Sequence, residues 1–155
     1  MTTLHLNGDD ARLLYLAVQY HFDRPGADLD PATGRPARPG MAELARSLGD
    51  AFVAPETSLA LTPFQAQRLA SAILGAVNEL KVYPMLAAGG RRSAAVRFEA
   101  ALRHLFPDVP DDPEEALAIA RALVRLKRRL DIEAANGRAG PWRKARRGRW
   151  RFWQR

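Results

Sequence analysis

Residues 112–137 read DPEEALAIARALVRLKRRLDIEAANG, and the fold class is read outward from them. Asp112 is placed to cap a helix, and Pro113 stands at the first helical position, where its missing N–H costs nothing. Glu115 is placed to reach back as the second half of a capping box. Ala116, Ile119, Leu123, Leu126 and Leu130 then recur at intervals of three and four, which is one apolar seam along a helix. The seam predicts a helix to about Ala135, with Asn136-Gly137 as its stop.

Upstream the same grammar repeats. Gly89-Gly90 breaks the chain, and Ser93 is the expected cap of a helix from Ala94 to Phe106, with Phe98, Leu102 and Leu105 facing inward. Thr62-Pro63 opens another helix to about Lys81, which Tyr83-Pro84 should end. Leu69, Ile73, Ala76, Val77 and Leu80 form its stripe. Met41–Leu48 reads as a short helix closed by Gly49. Near the N-terminus Asn7 caps a helix over Asp9–Phe22 whose apolar arc is wide enough for deep burial.

Two short alternating segments, Leu4-His5-Leu6 and Leu59-Ala60-Leu61, precede capped helices, and the two units echo each other at an offset of 55 residues. Leu4, Leu6, Ala11, Leu14, Ala17, Val18 and Phe22 match Leu59, Leu61, Ala66, Leu69, Ala72, Ile73 and Val77. Any Leu-x-Leu segment entering an amphipathic helix gives this pattern, so duplication is the less favoured explanation. Pairing of the two strands is expected independently of it. The predicted fold is therefore all-α, a compact bundle of four or five helices with a short two-stranded ribbon and a basic C-terminal arm. Residues 1–137 form the helical domain, with 24–40 as a surface loop carrying four prolines and three glycines, and 138–155 form the arm.

Charge divides along the same line. Residues 1–120 hold 11 basic and 15 acidic side chains, whereas 121–155 hold 13 basic and two acidic. The net charge of +7 is thus a property of one end, and all three tryptophans (Trp142, Trp150, Trp153) lie there too. Arg121, Arg125, Arg128 and Arg129 point away from the apolar seam and form a basic stripe running into the arm. Of the 24 basic residues 21 are Arg, so it is their placement rather than their abundance that carries meaning.

The arm contributes Arg138, Trp142, Arg143, Lys144, Arg146, Arg147, Arg149, Trp150, Arg151 and Trp153. Guanidinium matches phosphate with paired hydrogen bonds, and indole stacks on unpaired bases. The expected function is non-catalytic nucleic-acid binding, RNA or single strands preferred over duplexes whose bases are already stacked, with a small subunit of a nucleoprotein assembly as one setting. The runner-up is a protein-interaction or oligomerisation module that lays the same arm on an acidic partner or on other subunits. An anionic membrane surface, or tryptophans folded back onto their own core, would use the same residues. A secondary anion site is conceivable where Gly89-Gly90 leads into Arg91, Arg92 and Ser93.

Other classes lose support. Without Cys there is no disulfide and no thiolate metal site. His5, His21 and His104 form no ligand pair on one helix face and read as ordinary surface or boundary residues. Asp28-Leu29-Asp30 begins like a calcium loop, but Ala32 replaces a ligand and Gly34 falls one position late. No nucleophile elbow, dinucleotide fingerprint or phosphate-binding loop occurs. No enzyme, metal or cofactor is therefore expected. Neither a secretory leader nor an apolar run of about 18 residues is found, so the expected location is cytoplasmic.

Overall fold

The computed structural model describes residues 1–30, 32–90, 93–109 and 112–138, with the backbone alone at Ala87 and Arg138. Strand β1 (Thr2–Leu6) is followed by α1 (Gly8–Phe22), α2 (Met41–Asp50), a 3-10 turn (Ala51–Val53), β2 (Thr57–Leu61), α3 (Pro63–Ala88), α4 (Val96–Leu105) and α5 (Pro113–Arg138). The described residues are mostly helical, with five helices and one small sheet.

The two alternating segments pair antiparallel, Thr2 with Leu61, Leu4 with Leu59 and Leu6 with Thr57. Leu4, Leu6 and Leu61 point into the core, as the period of two requires. Helix α1 is central and touches every other helix, with Leu13, Leu14, Leu16, Ala17 and Val18 all buried. Helix α3 lies against α1 on one side and α5 on the other. Gly75 of α3 leaves room for the Tyr20 ring, with which a Cβ would collide, and Tyr20 stands edge-on to Phe98 of α4.

The expected caps of α1 and α3 are present. Asn7 Oδ1 accepts from the Asp10 N–H at 2.8 Å. Thr62 and Gln65 form a reciprocal box, and Gln65 Nε2 donates to the Gly40 carbonyl at 3.0 Å, pinning the end of the 24–40 loop. At the other side of that loop end, the Gly40 N–H donates to Glu43 at 2.9 Å. The backbone N–H groups of Glu43 and Gly40 hold the Glu43 carboxyl below its usual range.

Four boundaries differ from expectation. Helix α3 runs through Pro84 to Ala88, because Tyr83 is buried just before it and packing outweighs one missing hydrogen bond. Its end comes at the Gly pair, where Gly90 has a φ of 65°. Gly49 does not stop α2, which continues to Asp50 and tightens into the 3-10 turn.

Helix α4 starts at Val96 instead of Ala94, and its cap is Asp23. The Arg97 and Phe98 N–H groups donate to the two Asp23 oxygens at 3.0 and 2.9 Å. Gly137 does not end α5. It sits inside the last turn, where a Cβ would stand 3.0 Å from the Met1 carbonyl oxygen, so its smallness lets the helix end close on β1. Asp112 caps α5 as expected. Its own N–H bonds the Asp108 carbonyl, so the reach-back by Glu115 is not made. Among the described residues no helix is long and apolar enough to cross a membrane.

Candidate nucleic-acid interface

The seam of α5 fixes where its cations go. Leu123, Leu126 and Leu130 are buried, so residues half a turn away face outward. Arg121, Arg125 and Arg128 lie there at intervals of four and three, all exposed, spread over about 10 Å of helix. Lys81 of α3 joins them across a groove of about 400 Å3, floored by Val77, Leu117, Ala120 and Val124. Among the described residues none forms an ion pair with these four cations.

Arg129 belongs elsewhere. One residue past Arg128 it has turned by about 100°, and its guanidinium donates to Asp10 at 2.8 Å and to the His5 carbonyl. It therefore ties α5 to β1 and α1, and the structure separates it from the stripe. Beside it lies a polar depression of about 550 Å3, lined by His5, Asn7, Asp10, Glu56, Thr57 and Ser58. There Ser58 Oγ and His5 Nδ1 are 2.9 Å apart across the sheet. No motif announces this pair. It arises from strand register, since His5 stands opposite Ser58.

Trp142, Arg143, Lys144, Arg146, Arg147, Arg149, Trp150, Arg151 and Trp153 lie outside the described residues, as do Arg91 and Arg92. Arg138 is described as backbone at the end of α5. Ser93, the remaining member of the expected anion site, is buried and has its donors engaged by carboxylates. Its hydroxyl bonds Glu79 and its N–H donates to Glu99 at 3.2 Å. Glu99 in turn pairs with Arg103 at 2.9 Å.

His21 departs from the surface or boundary position expected of it. It is 2% exposed, with Nε2 3.7 Å from Asp28 Oδ1. Burial pushes its pKa below the ordinary value, partly opposed by the Asp28 carboxylate and the Ala27 backbone. Asp30 behaves as a turn residue. Its Oδ1 accepts from the Ala32 N–H and its carbonyl from the Gly34 N–H. Among the described residues no three His, Asp or Glu side chains gather as a metal site. Comparison with known proteins finds no matching family model, no matching curated protein and no matching solved structure.

Proposed function

We propose that this chain is a non-catalytic nucleic-acid-binding protein that grips single strands or looped RNA with its C-terminal arm. The observation that carries the reading is the charge partition. Residues 1–138 hold 17 basic and 17 acidic side chains, whereas 139–155 hold seven basic, no acidic, and every tryptophan. A neutral folded unit carrying a cationic, indole-bearing extension is suited to phosphate neutralisation combined with base stacking.

The proposed contacts are Arg138 at the end of α5 and Trp142, Arg143, Lys144, Arg146, Arg147, Arg149, Trp150, Arg151 and Trp153 in the arm. Arg121, Arg125 and Arg128 extend the cationic surface back along α5. Arg129 is left out, because its guanidinium is engaged by Asp10 and His5. No element that reads base sequence is present in this set, so recognition is of charge and unpaired bases.

The test is the ratio of absorbance at 260 and 280 nm of freshly purified protein, with and without residues 139–155. Nucleic acid that co-purifies with the full chain and vanishes on truncation supports the reading. Nucleic-acid-free full-length protein that also fails to shift a single-stranded oligonucleotide at low salt refutes it.

A further inference from the structure

The stripe on α5 borders a feature that phosphate binding does not use, the aliphatic floor of the α3–α5 groove. Val77, Leu117, Ala120 and Val124 line it, with Lys81 on one rim and Arg121, Arg125 and Arg128 on the other. Leu117 is 42% exposed, and Met85, four residues on from Lys81 and so on the same side of α3, is 76% exposed. Among the described residues no carboxylate lines the groove.

We propose that this groove docks an acidic amphipathic helix of a partner protein. The proposal goes beyond nucleic-acid binding by the arm and needs none of the arm's residues.

The chemistry selects the occupant. An apolar floor between two antiparallel helices takes side chains spaced at i, i+4 and i+7 on a third helix. Leu117 to Arg128 spans about 16 Å of α5, or three turns, which matches a helix of roughly 11 residues. Cations on both rims favour carboxylates on both flanks of that helix, where guanidinium forms paired hydrogen bonds.

Alternatives fit less well. A nucleobase gains from a flat π-face, and the floor offers only aliphatic side chains. A second copy laid on the same face would set Arg121, Arg125 and Arg128 against their own kind, with Glu114 the one acidic side chain in line with them. Because guanidinium takes carboxylate and phosphate alike, a seated helix would cover the stripe and compete with nucleic acid for α5 while leaving the arm free.

The experiment is a display selection of random helical peptides on the full-length protein stripped of nucleic acid, followed by binding assays with the winning peptides. Winners should combine Asp or Glu with apolar residues at i, i+4 and i+7. They should bind at least tenfold more weakly to Leu117→Gln and to Arg125→Glu, both checked for native circular dichroism. The affinity of a single-stranded oligonucleotide should be unchanged by Leu117→Gln.

Three results would each overturn the proposal. The first is winners that carry acid without an apolar period. The second is binding that survives Leu117→Gln and is lost on removing 139–155, which makes the arm the site. The third is oligonucleotide affinity that falls with Leu117→Gln as far as peptide affinity does, which makes the groove a nucleic-acid cleft. None of these bears on whether nucleic acid co-purifies with the arm.

Discussion

Removing residues 139–155 takes away seven basic side chains and no acidic one, and the effect is readable as a slope. Each phosphate neutralised on a single strand adds about 0.7 to the dependence of log affinity on log salt. Seven contacts therefore account for a slope of about 5, or about a thousandfold in affinity between roughly 50 and 200 mM salt. Changing Arg121, Arg125 and Arg128 together to Gln removes about 2 more at most.

Arg129→Gln is the internal control, because its guanidinium already bridges Asp10 and His5. Both side chains of that pair keep some exposure, so the loss is held to about 1 kcal/mol by solvent screening. That is about 2–4 °C in Tm for a chain of this size, with no change in salt slope. Fluorescence anisotropy of a labelled single-stranded oligonucleotide across a salt series measures the slopes, and calorimetry measures the Tm. The reasoning fails if truncation leaves the slope intact, or if Arg129→Gln lowers it as Arg125→Gln does.

Gly75→Ala places a Cβ within 2.7 Å of three Tyr20 ring atoms, an overpacking expected to cost about 1–3 kcal/mol. Chemical denaturation measures it, and combining it with Tyr20→Leu should recover part of the loss. Asp23→Ala leaves the Arg97 and Phe98 N–H groups without their acceptor, so α4 should lose about 1–2 kcal/mol and those two amides should exchange faster with solvent. His21 titrates lower in the fold than unfolded because it is buried, so the unfolded chain takes up the proton first. Its stability contribution is complete above the unfolded value of 6.5 and is lost as pH falls below it. The urea midpoint should drop between pH 7.5 and pH 5 more steeply in the native protein than in His21→Leu, and Asp28→Asn should steepen the native response.

What was legible in the sequence was what local chemistry writes down. Asp112-Pro113 started α5, and Thr62-Pro63 started α3. Leu-x-Leu alternation placed both strands, and a period of three and four placed the seams. What was not legible depends on partners distant in the chain. Asp23 caps α4 from 74 residues away, where the local sequence offers only Ser93. Pro84 and Gly137 look like terminators, but Tyr83 burial and the Met1 carbonyl decide their surroundings.

The stripe was legible as a stripe but not as three plus one. A single residue's rotation sends Arg129 to Asp10 and leaves Arg128 in the groove. His21 looked like a boundary residue because nothing nearby shows that the 24–40 loop folds over it with Asp28.

That Arg121, Arg125 and Arg128 have no ion-pair partner among the described residues follows from where the fold needs its carboxylates. Asp23, Glu43 and Asp112 accept hydrogen bonds from backbone N–H groups at helix starts. Asp9 and Asp10 lie in the first turn of α1, where negative charge also offsets the helix dipole. Glu79 and Glu99 are drawn to Ser93, and Asp131 to Lys127. Equal numbers of acids and bases over residues 1–138 therefore do not give a uniformly neutral surface. Carboxylates serve caps and turns while the outer face of α5 keeps its cations, and α5 is the helix that leads into the arm. Under the proposed function the α5 cations and those of residues 139–155 would act together on one polyanion, because α5 directly precedes those residues in the chain.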